Sequence, residues 1–195
     1  MNKKIYVGFD IDETIIHSKA ITDGIPYEDC DFNIYHDNGN LAYSVYTRPN
    51  AELLLNYVEK NYNLFFYTRA TKDYASKILT NLGFENPLLF HSKYIDVETV
   101  DTIYEGFKRF QIKRFDKIAN KLNCNVDDML FFDDVKNTIE TRPVHIVSQV
   151  SEYLAFDDDL FSHIYNKFKS IENKNYTAKE LRDVFIHSNK KQYKM

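Results

Sequence analysis

Five short, largely apolar runs recur along this chain: Ile5–Phe9, Leu64–Tyr67, Leu88–Phe90, Met129–Phe132 and Pro143–Val147. Each is too short for a helix, and near-continuous apolarity over so few residues is the pattern of a strand buried on both faces. Helical patterns lie between them. Pro49 suits a first helical position, and Leu53, Leu54, Tyr57 and Val58 give one apolar face. Thr71 suits the N-cap of a helix running to Leu82 and closed by Gly83. Phe107, Phe110, Phe115, Ile118 and Leu122 carry helical spacing over 107–122. Asp37-Asn38-Gly39-Asn40 reads as a hairpin turn within the polar stretch 23–47. Two polar-faced helices are expected near 159–170 and 177–187, the second opened by a Thr177…Glu180 capping box. Residues 92–106 match no element. Strands alternating with helices predict an α/β fold with a mainly parallel sheet flanked by helices. In such sheets ligands bind beyond the carboxyl ends of the strands.

Composition narrows the class. A chain of 195 residues is expected to form one domain, with a core over 4–150 and a helical segment over 151–195. Its 44% hydrophobic and 28% charged residues exclude disordered and collagen-like chains, and no apolar run is long enough to span a membrane. The net charge of −4 offers no basic footprint for direct nucleic-acid binding. Cys30 and Cys124 form neither a disulfide framework nor a metal-type pattern. Met1-Asn2-Lys3-Lys4 leads straight into a strand, without the cleavage site of a secretory signal. We therefore expect a cytoplasmic location, with a nuclear or host-cell one as the alternative.

Three of the strands end in chemistry-bearing groups: Asp10 and Asp12 after the first, Thr68 after the second, Asp133 and Asp134 after the fourth. Like charges held close cost energy unless a cation or a shifted pKa relieves them. Four converging acids predict a bound metal, and oxygen-only donors favour a hard ion, Mg²⁺ first. A calcium loop of the EF-hand kind needs a glycine where this chain has Ile15. Asp157-Asp158-Asp159 reads as a helix N-terminal charge run favoured by the dipole.

Phe9-Asp10-Ile11-Asp12-Glu13-Thr14 resembles the first motif of the haloacid-dehalogenase (HAD) superfamily phosphatases. Phe65-Phe66-Tyr67-Thr68 resembles the second, and Leu130-Phe131-Phe132-Asp133-Asp134 with Asn137 resembles the fourth. Asp10 through Ser18, Arg48-Pro49 and Thr68 with Tyr74-Ala75 are most similar to FCP/SCP-type phosphatases, which act on the RNA polymerase II C-terminal domain and other phosphoproteins. Phe131-Phe132-Asp133-Asp134 and Asn137-Thr138-Ile139 look more like the magnesium-dependent phosphatase subgroup. The resemblance implies a HAD-like Rossmannoid fold and phosphomonoester hydrolysis. It makes Asp10 the nucleophile that forms an aspartyl phosphate, and Asp12 the general acid and then base. Thr68 would bind a phosphoryl oxygen, and Arg69 beside it is a candidate contact to substrate phosphate or leaving group. Mg²⁺ would be held by Asp10, the Asp12 carbonyl, Asp133 and Asp134.

The family's third motif, a Lys or Arg, has several candidates. One alignment puts Gln111 at its position and another Lys117, while Lys108, Arg109, Lys113 and Arg114 are in range. A helix over this stretch favours Lys108, on the Phe115 face. Arg48 is either a family feature or a solvent-exposed arginine. The interval between Asp12 and Thr68 holds no large cap domain, and an open site suits a phosphorylated protein better than a small phosphomonoester. Three alternatives stand beside this reading. A receiver-like domain would order its acids differently, a catalytically weak scaffold would fit Gln111, and a nucleotide or sugar phosphatase would need a pocket the short interval leaves little room for.

Overall fold

The computed structural model describes residues 5–91, 100–105, 108–134, 141–155, 158–172 and 174–192. In chain order these form β1 (Tyr6–Phe9), β2 (Ile16–Ala20), β3 (Phe32–Tyr35), β4 (Leu41–Thr47), α1 (Ala51–Asn61), β5 (Asn63–Thr68), α2 (Lys72–Asn81) and β6 (Leu89–His91). There follow β7 (Val100–Glu105), β8 (Lys108–Arg114), α3 (Phe115–Leu122), β9 (Met129–Asp133), β10 (Thr141–Arg142), β11 (Val147–Gln149), α4 (Leu160–Ser170) and α5 (Ala178–Gln192).

Four of the apolar runs supply β1, β5, β6 and β9 of the central sheet; the fifth, expected as a strand over 143–147, is a 3-10 helix over Val144–Ile146, and strand β11 starts only at Val147. The sheet order is β11-β9-β1-β5-β6, and every neighbouring pair is parallel. Alternate side chains feed opposite layers. Val7, Phe9, Phe66, Leu130 and Phe132 join Leu54, Ile78, Phe161, Phe168 and Phe185 from α1, α2, α4 and α5. Phe65, Tyr67, Met129 and Phe131 pack on Phe115 and Ile118 of α3. Phe9 stacks on Phe132 at 5.0 Å, and Phe65 on Phe131 at 5.7 Å. A buried phenylalanine contributes on the order of 1.5–3 kcal/mol, so these rings dominate the cohesion of β1, β5 and β9. Gly8 makes room for one of them, since a Cβ there would lie 2.3 Å from Cζ of Phe65.

Two smaller sheets complete the architecture. β2-β4-β3 is antiparallel, closed by the expected turn, where His36 N–H donates to the Asn40 carbonyl at 2.8 Å and Gly39 adopts φ 81°. β7 pairs antiparallel with β8, and β10 joins β8 parallel. No helix among the described residues is long and apolar enough to cross a membrane.

The helix starts follow their caps. Thr71 Oγ1 accepts from the Tyr74 N–H, and Thr177 and Glu180 form the reciprocal capping box. α1 begins later than Pro49 predicts, because Asn50 takes a left-handed φ of 64° and helical geometry starts at Ala51. The larger correction lies at 107–122. Helix occupies 115–122, while 108–114 is strand β8, and Phe107 lies outside the described residues. Phe110 and Ile112 alternate with polar neighbours, a period of two inside an apolar spacing that also fits a helix.

Candidate active site

β1 sits between β9 and β5, with Phe9 level with Phe132 on one side and Phe66 on the other. The residues that follow therefore emerge together at one sheet edge: Asp10 from β1, Asp133 and Asp134 from β9, Thr68 from β5. Asp10 N–H donates to the Phe132 carbonyl at 2.9 Å, which fixes the two acidic strand ends to each other. Beyond Asp10 the chain folds back tightly. Ile15 and Ile16 N–H both reach the Ile11 carbonyl, and Ile11, Ile15 and Ile16 are wholly buried. Glu13, at a left-handed φ of 58°, completes the turn and pairs with His17 at 2.8 Å.

A buried lysine lies among the acids. Lys113 Nζ is 2.6 Å from Asp10 Oδ1 and 2.8 Å from Asp133 Oδ2, over the rings of Phe131 and Tyr67. It is 1% exposed. Burial works against its charge, but Asp10 and Asp133 outweigh that and raise its pKa, so the ammonium form persists. Burial pushes the Asp10 carboxyl up to about 8, with Asp133 and Asp12 adding to the rise and Lys113 opposing it. Burial also raises Asp12, against the Tyr74 hydrogen bond and the Lys113 charge. Asp134 is pushed up to about 6 by burial and by Asp133.

Thr14, on the turn that follows Asp10 and Asp12, is tied to Asp134. Its buried hydroxyl accepts from Asp134 N–H at 3.1 Å and donates to Asp134 Oδ1 at 3.4 Å. Tyr74, in the first turn of α2, donates to Asp12 Oδ1 at 2.6 Å. Thr68 is 1% exposed, and its Oγ1 accepts from the Ala70 N–H at 3.0 Å.

Carboxylate oxygens of Asp10, Asp133 and Asp134 lie within 4.8 Å of one another. Lys113 bonds to two of these acids, yet two of the carboxyls still show raised pKa values. That is the electrostatic deficit a divalent cation removes, and an all-oxygen donor set fits Mg²⁺.

The chain matches the family model described as NLI interacting factor-like phosphatase over residues 6–184. The chain belongs to that family. No curated protein matches it. Two solved structures are similar in fold. One is fission yeast RNA polymerase II CTD phosphatase Fcp1, as a variant bound to beryllium fluoride, at 18% identity and TM-score 0.55 over 97% of this chain and 52% of that one. The other, Fcp1 described as an essential RNA polymerase II CTD phosphatase, gives 18% and 0.55 over 97% and 53%. The chain thus spans about half the length of the Fcp1 chains it matches.

For this NLI interacting factor-like phosphatase, the expected residues fall as follows. Asp10, Asp12, Thr68, Asp133 and Asp134 share the carboxyl edge of the sheet. Arg69 is exposed directly beyond Thr68. Asn137 lies outside the described residues. Lys108 is not the cation that meets Asp10. Its backbone is in register with Glu105 at the opposite end of β8, while Lys113, next to last in that strand, makes that contact. Lys108 was favoured on a helical face, and the segment is extended. Gln111 is in register with Thr102 across β7–β8, and Lys117 lies on α3. Arg48 is no surface arginine: it is 1% exposed. Asp158 serves as its ion-pair partner at 3.0 Å, beyond any role in the helix dipole. Tyr74 and Thr14 carry site contacts that sequence reasoning left without a role. Thr14 stands inside the first motif, and its place two residues past Asp12 was the signal for it.

Proposed function

We propose that this chain is a Mg²⁺-dependent phosphomonoester hydrolase that works through an aspartyl phosphate on Asp10, with a phosphorylated protein as substrate. The observation that carries the reading is the buried Asp10–Lys113–Asp133 arrangement, with Asp134 alongside, at the carboxyl edge of a parallel sheet. Asp10 attacks phosphorus as the ester oxygen leaves, and Asp12 gives that oxygen its proton. Asp12 then takes a proton from the water that releases phosphate from Asp10. Thr68 and Arg69 hold phosphoryl oxygens. Lys113 orients the Asp10 carboxylate and offsets charge as the phosphoryl group arrives, the role that sequence reasoning gave to Lys108.

Asp10, Asp133, Asp134 and the Asp12 carbonyl would hold the ion. When bound, it supplies positive charge that lets an anionic carboxylate meet an anionic phosphate. A phosphoprotein substrate accords with the family and with the CTD phosphatases of similar fold, and a cytoplasmic location with the lack of a spanning helix among the described residues. The scaffold alternative leaned on Gln111, and Lys113 removes that support.

The test is p-nitrophenyl phosphate hydrolysis with Mg²⁺ and with EDTA, for the native chain and Asp10→Asn. We expect Mg²⁺-dependent turnover that the substitution abolishes. Turnover that survives Asp10→Asn, or no turnover by folded protein with any divalent metal, overturns the reading.

A further inference from the structure

The phenol of Tyr74 lies between Asp12 and the small β2-β4-β3 sheet. Its oxygen is 2.6 Å from Asp12 Oδ1 and 2.8 Å from Ser18 Oγ on β2. A phenol has one proton to give, whereas a serine hydroxyl both gives and accepts. The phenol proton therefore serves the carboxyl group, and Ser18 donates to the phenol oxygen. The ring is fixed on other sides as well. Tyr74 N–H donates to the Thr71 cap, and the ring meets Tyr43 of β4 edge-on at 5.2 Å. One turn along α2, Lys77 Nζ reaches the Tyr35 carbonyl at 3.1 Å and Asp37 at 3.0 Å. Helix α2 and the small sheet are thus tied together on both sides of the phenol.

We infer that Tyr74 is a positioning residue for the general acid Asp12. This rests on the phosphatase reading above and adds to it a residue that does not touch the reacting atoms. With Oδ1 engaged by Tyr74, the proton to be delivered belongs on Oδ2, and the carboxyl plane is set so that Oδ2 faces the leaving group. In the first step Asp10 forms its bond to phosphorus while the ester P–O bond breaks toward the ester oxygen. That oxygen takes the Oδ2 proton. In the second step Oδ2 takes a proton from water as the new P–O bond forms, and the broken bond's electron pair returns to Asp10. Tyr74 keeps its own proton throughout.

A general acid matters most for poor leaving groups and little for p-nitrophenolate. The test uses the full chain, native and Tyr74→Phe, with phenyl and p-nitrophenyl phosphate at saturating Mg²⁺. The parameter is kcat/KM, which reports phosphoryl transfer to Asp10 rather than the later hydrolysis. We expect kcat/KM for phenyl phosphate to fall about tenfold further than for p-nitrophenyl phosphate. The ratio of the two is independent of how much enzyme is folded, so poor folding cannot imitate this result. Ser18→Ala should shift the ratio in the same direction by less. An equal fall on both esters makes Tyr74 a mere anchor of α2 and overturns the inference. Native protein inert to both esters overturns the phosphatase reading and the inference with it.

Discussion

The guanidinium of Arg48 meets the carboxylate of Asp158 at 3.0 Å across 110 positions of sequence. The same side chain donates to the carbonyls of Thr14 and Ser151, each at 2.7 Å, and packs against the rings of Tyr153 and Phe161. Burial depresses the Arg48 pKa, and Asp158 opposes that. The contact fastens the loop that carries Asp10 and Asp12 to the segment entering α4. Arg48→Met strands two carbonyls and a partly buried carboxylate. The expected loss is about 2–4 kcal/mol, read as a lower urea midpoint at unchanged slope. A loss under about 0.5 kcal/mol would contradict the proposed role.

Lys113 and Lys108 separate cleanly by mutation. Lys113→Met leaves Asp10 and Asp133 facing each other in a buried site, and should lower kcat by at least about a hundredfold. Lys108→Met should stay within about twofold of the native rate, since its strand position is the far end of β8. Steady-state kinetics on p-nitrophenyl phosphate, with circular dichroism to confirm folding, decide the matter. The reverse pattern would return the role to Lys108.

The acids also set a pH dependence of stability. Asp10 is raised to about 8 and Asp134 to about 6, from an ordinary 3.8, chiefly by burial. Between about pH 4 and pH 8 the folded chain keeps protons that the unfolded chain has released, so stability without metal falls as pH rises. Asp116, Asp127 and Glu180 are lowered and withdraw their contribution only on acidification below about pH 5. Lys113 is raised and stays charged throughout the window. In EDTA the Tm should therefore drop between about pH 5 and pH 8. Mg²⁺ needs deprotonated ligands, so the rise in Tm that it brings should be larger at the alkaline end. A Tm in EDTA that climbs over this range runs against the assignment.

Gly8 is held by a steric limit. Gly8→Ala places a methyl group 2.3 Å from Phe65 Cζ, in the middle of the central sheet. Ring and strand must shift, at a cost of about 1–3 kcal/mol. Thermal unfolding of Gly8→Ala, alone and with Phe65→Leu, checks the cause. The double variant should recover part of the loss, and no recovery would point to something other than the ring.

The strand ends were legible because a strand buried on both faces is written as an unbroken apolar run, and the site residues come directly after three such runs. Asp10, Thr68 and Asp133 needed no tertiary information to be noticed. Lys113 did. Strand β8 belongs to a small sheet, and its sequence mixes charge with Phe110 and Ile112, so its period of two competes with a helical spacing that continues truly into α3. A helix over 108–114 points to Lys108, whereas the strand brings Lys113 to Asp10. The contacts of Arg48 and Tyr74, residues already noticed in the resemblance, were hidden for a different reason. Their partners are remote in sequence: Ser151 and Asp158 for Arg48, Asp12 and Ser18 for Tyr74. No local pattern encodes such a contact.

The sheet order carries a consequence for how the protein is made. β1 is flanked by β5 and by β9, and β9 is translated last of the three. Throughout synthesis of the chain between β5 and β9, one side of β1 exposes unpaired N–H and C=O groups, an invitation to pair with a foreign strand. Asp10 therefore leaves the ribosome long before the acids that complete its setting. A nascent or prematurely terminated chain has Asp10 without Asp133 and Asp134, and its most sociable edge uncovered. Insertion of β9 closes that edge and brings Asp133 and Asp134 beside Asp10 in a single event.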